Sequence, residues 1–540
     1  MTSRTLAAAV AALLACASGA QAAQSPEERR LNELRNTVVN LLQGLVERGV
    51  LTKEQAEKMV ADAQSKAEQE AAAVAATDQA EAGAVRVPYV PEVVKQEIRA
   101  QVTADLKREV TTEVLEQAKS EDWATPGALP DWIRRMRFSG DIRLRGQSDT
   151  FAEDNVTGAY VDFLAVNDRG GIGKAGAAAL INTTEDRQRL RARLRFGFDA
   201  ELGYGWSSAF KLATGNLRDA VSTNQTLGNT AGRYTIGVDQ AWLRYTGTSN
   251  NSRRQLTFTG GRFANPWSST DLVFDTDLNF EGLTTNYRLA LQRDQLFYRY
   301  VYLTLGAFPI EEFELNSDDK WLLGGQLGFE WKTDGGSRIR LAGAYYDYEN
   351  IVGRRNVLDS TLLDYTAPKF LQRGNALFDI RNDADTSTNL YALAADYKLV
   401  DVTGGIDWRL SPAYRLAFTG DYVKNIGYDE DETNARLGIA IDPRTEGYQA
   451  ELSFGSVNMA LANAWRVSVA YRYLERDAVL DAFTDSDFRL GGTDVRGFIV
   501  GGEWALTPRV QLRARYLSGN EIDGPPLGID VFQLDLNSSF

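Results

Sequence analysis

Arg187-Gln188-Arg189-Leu190-Arg191-Ala192-Arg193-Leu194-Arg195-Phe196 places an arginine at every second position and an uncharged residue between each pair. On a helix these five arginines would spread around the whole circumference. On a strand they fall on one face, because successive side chains point to opposite sides. A guanidinium stays charged, so that face must meet water while the other carries Leu190, Leu194 and Phe196. Arg137-Phe138-Ser139-Gly140-Asp141-Ile142-Arg143-Leu144-Arg145 repeats the pattern. Working outward, alternating runs recur at 240–245, 255–259, 284–291, 298–305, 321–331, 338–345, 390–410, 415–422, 448–454, 466–473, 498–504, 510–516 and 532–536. With a noisier piece at 209–214, about sixteen strands are predicted between residue 136 and the C-terminus.

The links between these runs alternate in length. Short ones at 202–205, 332–337, 411–414 and 506–509 separate long, polar, Asp-rich stretches near 150–186, 215–234, 264–280, 309–320, 350–387, 427–446, 477–494 and 519–528. Short turns at one end and long loops at the other are the asymmetry of an outer-membrane barrel, and an even strand number brings both barrel ends to the short-turn side. A soluble β-sandwich rarely runs beyond ~250 residues. The expected fold is an all-β transmembrane barrel of about sixteen antiparallel strands.

Composition removes other classes. The 540 residues contain no histidine and one cysteine, Cys16. That excludes histidine-based triads and general bases, imidazole metal ligands, an intrachain disulfide and a thiolate cluster. A formal net charge of −14 argues against a phosphate-tracking nucleic-acid partner. No cofactor and no enzymatic activity are expected.

The N-terminal part reads differently. Arg4, the apolar run 6–17 and Ala20-Gln21-Ala22 form a secretory signal cleaved after Ala22. The rival is a lipobox, Leu13-Leu14-Ala15-Cys16, which would leave a lipidated cysteine. Residues 23–135 then form a helical, coiled-coil-like periplasmic arm: Leu31, Leu34, Val38, Leu41 and Leu45 are spaced 3, 4, 3, 4. After Pro88-Tyr89-Val90-Pro91, a second stripe carries Val94, Ile98, Val102, Leu106, Val110 and Val114. The arm either folds on itself as a hairpin or bundles between copies of the chain.

In the barrel, Tyr and Trp near strand ends (Trp206, Trp242, Trp321, Trp331, Trp408, Trp465, Trp504) fit the girdles at membrane interfaces. An arginine facing lipid at mid-bilayer costs about 2–4 kcal/mol, so the ladders must face the lumen. Arg143, Arg145, Arg187, Arg189, Arg191, Arg193, Arg195, Arg338, Arg340, Arg513 and Arg515 are the expected pore lining. They make either an uncompensated basic wall in a wet pore or a filling paired with acids such as Asp141, Asp199, Glu330, Asp421, Glu451 and Glu503. The third long loop, 263–282, is too apolar for a purely solvated loop. Folded inward, it anchors Phe274, Leu278 and Phe280 on the wall and sets Asp271, Asp275, Asp277 and Glu281 opposite arginines as a constriction. The alternative is an external loop packed on its neighbours.

Two tempting signals carry little. Gly171-Ile172-Gly173-Lys174-Ala175-Gly176 matches a dinucleotide fingerprint but lies in the first long loop, without a parallel strand–helix unit around it. Asp429-Glu430-Asp431-Glu432 lacks the spacing of a calcium loop and reads as a solvated acidic stretch.

Val90-Pro91-Glu92-Val93-Val94, Pro126-Gly127-Ala128-Leu129-Pro130-Asp131-Trp132, Phe138 to Arg145, and the segment from Asn265-Pro266-Trp267 to Phe280-Glu281-Gly282 resemble the bacterial "putative porin" family. The resemblance covers nearly the whole chain after the signal. It implies an outer-membrane channel with a helical periplasmic N-terminus, set in outer-membrane lipid and lipopolysaccharide and commonly a homotrimer. It names no solute. The expected function is passive diffusion of small hydrophilic solutes with a lean toward anions. The competing reading is a structural envelope protein, with a plugged barrel and an arm on peptidoglycan.

Overall fold

The computed structural model describes residues 135–540, apart from 250–251, 294–297 and 316, together with Lys58, Ala61, Ser65 and Lys66. The chain divides into two compact units, Met1–Val114 and Leu115–Phe540. In the first, the four described residues are helical and exposed. The signal, Cys16, the leucine seam and the stripe from Val94 lie outside the described residues.

The second unit is one closed antiparallel sheet of sixteen long strands: β1 Met136–Phe151, β2 Arg187–Gly203, β3 Trp206–Thr214, β4 Ile236–Thr248, β5 Arg254–Ala264, β6 Asn279–Arg293, β7 Tyr298–Glu311, β8 Lys320–Lys332, β9 Arg338–Glu349, β10 Lys398–Arg409, β11 Tyr414–Asn425, β12 Glu446–Ser456, β13 Trp465–Leu474, β14 Val495–Thr507, β15 Val510–Glu521 and β16 Gly528–Ser539. A two-residue strand, Gln225–Thr226, extends the pairing of β2 beyond the end of β3. Closure comes from β1, which pairs with both β2 and β16. A closed barrel satisfies its backbone hydrogen bonds between strands and leaves no free edge.

One sequence expectation needs correction. The run at 390–410 is two elements, not one strand. Tyr391–Leu393 pairs with Leu377–Asp379 inside a long loop, and only Lys398–Arg409 joins the barrel. The apolar side chains of Ala392, Leu393, Ala394 and Ala395 are buried in interior clusters rather than offered to lipid.

Link lengths alternate strictly along the chain. The links 204–205, 333–337, 410–413, 457–464 and 508–509 meet at one end of the barrel, while the longer loops, among them 152–186, 265–278, 350–397 and 475–494, gather at the other. The two-residue turn Tyr204-Gly205 has positive φ at both residues (53° and 85°), a twist that favours a hairpin.

The two sheet faces differ as the alternation requires. Phe138, Ile142, Leu144, Leu190, Leu194, Phe196, Leu534 and Leu536 are exposed on the outside. Trp206 against Tyr245, Tyr414 against Trp465, and the exposed Trp408 and Trp504 form an aromatic belt at the short-link end. Trp242 departs from the girdle expectation, because it packs against the interior core under Arg244. That core lies inside the barrel at the long-loop end. It joins Phe263, Phe308, Leu322, Tyr346 and Leu517 of the strands to Trp267, Leu272, Phe274, Leu480 and Phe488 of the loops. The long loops are therefore not purely external, because several bring apolar side chains into the lumen.

Candidate functional site

The interior face of β15, β16, β1 and β2 carries most of the predicted arginines. Pairing sets them in rows across the wall. One row runs Arg513, Asp535, Arg145, Arg191; the row on the long-loop side runs Arg515, Gln533, Gln147, Arg189; the row on the other side runs Gln511, Asn537, Arg143, Arg193. Arg145 thus faces Arg191 and Arg143 faces Arg193, like charges that repel directly across the strands. Counter-charges must come from elsewhere.

They come partly from neighbouring strands and partly from two loops. Asp149 accepts from Arg189 at 2.6 Å, and Asp535 takes Arg145 through two hydrogen bonds of 2.7 and 2.9 Å. Asp141 pairs with Arg193 and Arg195, each at 2.8 Å. Asp277 of the loop 265–278 reaches the same two arginines at 3.3 and 3.4 Å. From the loop 475–494, Asp487 holds Arg145 at 2.9 Å and also pairs with Arg515. Burial alone would push the Asp487 carboxyl up. Arg145, Arg515, Arg191 and Arg143 outweigh it and hold that carboxyl well below the usual carboxylate range. The wall is thus more compensated than a bare ladder. Of its members, Arg143 and Arg191 have no ion pair among the described residues; Asn224, Gln147 and Ser222 are their neutral partners.

The loop 265–278 crosses the interior as the sequence suggests. Phe274 packs edge-on against Tyr346 at 5.1 Å, and Phe280 lies 4.8 Å from Phe308. Asp421 on β11 accepts from the backbone N–H of Thr270 at 3.0 Å and from its hydroxyl at 2.6 Å. Gln326 on β8 receives the Ser268 N–H at 2.8 Å. The loop is tied to β8 and β11 on one side and to β2 on the other.

A cavity of about 500 Å³ lies between this loop and the basic wall. Arg143, Arg193, Arg195, Arg513 and Arg515 line it, and Asp271, Asp275, Asp277, Asp485 and Asp487 face them. Burial pushes the Asp271 and Asp275 carboxyls up, reinforced in each case by Asp485. The arrangement can narrow a passage and orient a polar solute across it.

Not every predicted residue joins this site. Glu281 pairs with Arg262 at 2.7 Å and borders a separate, mainly apolar cavity of about 220 Å³. Alternation places Glu281 on the strand face of exposed Leu283, opposite that of buried Phe280 and Thr284. Arg338 sits on β9 near Glu330 and Asp407, at 3.6 and 3.9 Å, and Arg340 lies exposed on the same strand. Arg187 is exposed at the start of β2. Sequence reasoning missed Asp487 and Asp485, and Asp421, expected as an arginine partner, anchors Thr270 instead. The apolar residues Leu480, Ala482, Phe483 and Phe488 in the loop 475–494 were the available sign that it turns inward. The glycine-rich segment is a loop with a four-residue helix, Ile172–Ala175. The acidic run is exposed, as expected, but it opens the helix Glu430–Leu437 rather than a loop, with Asp429 capping the Glu432 N–H.

Residues 35–540 match the family described as "Putative porin". The chain belongs to this family. Among solved structures, the porin is similar to Pseudomonas putida OprB at high pH, with 13% identity, 76% of this chain and 95% of that chain covered, and a TM-score of 0.41. It is also similar to a loop-deletion mutant of the Vibrio cholerae outer membrane protein OmpT, with 10% identity, 75% and 99% coverage and a TM-score of 0.37. The outer membrane channel DcaP of Acinetobacter baumannii shares 12% identity, with 75% and 97% coverage and a TM-score of 0.37. No curated protein matches the porin.

Proposed function

We propose that this porin sits in the outer membrane and passes small hydrophilic solutes by diffusion, with a weak preference for anions. In this reading residues 1–22 are an export signal, 23–135 a periplasmic helical arm and 136–540 the barrel. The arm serves trimer formation or attachment to peptidoglycan, and lipopolysaccharide surrounds the long-loop end. The observation that carries the reading is the charged cavity under the loop 265–278, with a basic wall on β15, β1 and β2 and acids on the loops. Burial raises the Asp271 and Asp275 carboxyls, which weakens the acidic side. Arg143 and Arg191 hydrogen-bond to neutral partners and make no ion pair among the described residues. Single-channel recording in planar bilayers tests the function: discrete steps in KCl, with a zero-current potential displaced toward anion selectivity in a salt gradient, are expected.

A second reading rests on the apolar core inside the long-loop end. A barrel filled there by loops could be plugged and serve as an envelope anchor. Insertion without conductance would favour it.

A further inference from the structure

The middle of the arginine wall is where charge is least balanced. Lower down, Arg193 and Arg195 meet Asp141 and Asp277, two against two. At the long-loop end, Arg189 meets Asp149 one to one. Beside these pairs, Arg143, Arg145, Arg191 and Arg515 have Asp487 and Asp535 as their ion-pair partners, two carboxylates for four guanidinium groups.

The hydrogen bonding is incomplete at the same place. The Nε groups of Arg143, Arg191 and Arg515 are buried without an acceptor. Arg191 reaches Gln147 only at 3.4 Å and Ser222 only at 3.5 Å, both at the weak limit of a hydrogen bond. Arg143 is nine-tenths buried, lines the cavity, and has Asn224 as its hydrogen-bond partner at 2.5 Å. A desolvated guanidinium without a counter-charge is costly, so these groups favour any oxyanion that reaches them.

One oxyanion is already present. Asp487 belongs to a loop, not to the wall. Its two oxygens lie 3.0 and 2.9 Å from Arg145 Nη1, and one of them also meets Arg515. It occupies the cluster as a bound carboxylate would.

We propose that Arg143, Arg145, Arg191 and Arg515 form an anion-binding site for the carboxylate of a passing solute, and that Asp487 is its tethered occupant. Solute and Asp487 then compete for the same guanidinium groups. The loop 475–494 sets the affinity, because a tethered ligand competes at an effective concentration of about millimolar or more. This rests on the diffusion reading, and it adds a ligand class and a residue that tunes it.

The test uses the full chain in planar bilayers, with acetate titrated into KCl at constant ionic strength. In Asp487→Asn the half-blocking acetate concentration should fall at least about five-fold relative to wild type, given a tethered competitor in that range. Arg191→Gln in the same background should reverse the gain. If Asp487→Asn does not fold, Asp487→Asn with Arg515→Gln keeps three of the four arginines and one fewer unbalanced charge. That double variant should still be blocked at lower acetate than wild type. Equal half-blocking concentrations in wild type and the folded variants would overturn the site. A wild-type protein that inserts without conducting defeats the diffusion reading instead. The site is then judged by whether acetate raises the unfolding temperature of Asp487→Asn more than that of wild type, read as heat-modifiability on gels. No such difference would overturn it.

Discussion

Phe540 exchanges both backbone hydrogen bonds with Gly140, at 3.0 and 3.1 Å, so the last residue closes the barrel against its first strand. The Phe540 ring lies over that glycine: a Cβ on residue 140 would stand 2.6 Å from the ring and 2.8 Å from the Arg195 carbonyl. Deleting Phe540 removes the final rung and its aromatic cover. The expected result is a smaller heat-modifiable, membrane-inserted fraction. Gly140→Ala should act in the same direction, by about 1–3 kcal/mol of overpacking. Unchanged insertion of both variants would contradict this role for the terminus.

Replacing Arg189, Arg191 and Arg193 by Gln should move the zero-current potential toward cation selectivity. Arg189 and Arg193 leave Asp149, Asp141 and Asp277 behind with fewer partners, so the wall changes by three charges along most of its height. The shift should shrink in 1 M salt, where the Debye length is ~3 Å. An unmoved potential would place the ladder outside the conduction path.

The barrel was legible because one-residue alternation admits a single placement: Leu190 outward forces Arg189 and Arg191 inward. Link lengths then gave the sidedness. The constriction was half legible. The apolar residues Phe274 and Leu278 signalled an inward loop, and Asp277 does meet the arginines of β2, yet Glu281 pairs with Arg262 instead, because it lies on the strand face of exposed Leu283, opposite buried Phe280 and Thr284. What could not be read was which acid neutralises which arginine. Asp487 lies more than three hundred residues from Arg145 in sequence, and loops obey no period that fixes where a side chain points.

Removal of residues 23–120 should leave a heat-modifiable barrel that still conducts. Among the described residues the sixteen strands pair with one another and with Gln225–Thr226, and the pairing of β1 with β16 closes the ring. The 3-4 spacing of Leu31, Leu34, Val38, Leu41 and Leu45 suits helix association, so oligomeric state or envelope attachment should change. Cross-linking and gel mobility read the first, conductance the second. A truncated chain that fails to insert would refute the division.

Asp481 offers a pH test of the loop 475–494. Both its carboxylate oxygens are buried without hydrogen bonds, and burial pushes its pKa up to about 7. The raised value means that the folded loop prefers the protonated acid. Its contribution to stability is complete below the ordinary carboxylate range, falls as pH rises, and is lost above about 7. Protease cleavage within 475–494 should therefore be slower at pH 5 than at pH 8. Asp481→Asn, which stays neutral, should flatten that difference. A variant with the wild-type pH dependence would assign the effect to other groups.

One carboxylate holds Thr270 of the loop 265–278 to β11. Asp421 accepts from both the N–H and the hydroxyl of Thr270, and hydrogen bonds to a charged group contribute about 1.5–3 kcal/mol. Asp421→Ala removes both at once, while Phe274 and Phe280 keep their contacts with Tyr346 and Phe308. The loop should then loosen at its N-terminal half without leaving the lumen. Asp277, on the other half, should keep its grip on Arg193 and Arg195. Single-channel traces of Asp421→Ala are therefore expected to show larger mean conductance and added flicker, with the sign of ion selectivity preserved. Asp421→Asn, which retains one carbonyl acceptor, should fall between wild type and Asp421→Ala. Conductance and noise equal to wild type in Asp421→Ala would mean that the Thr270 anchor does not set the width of the passage.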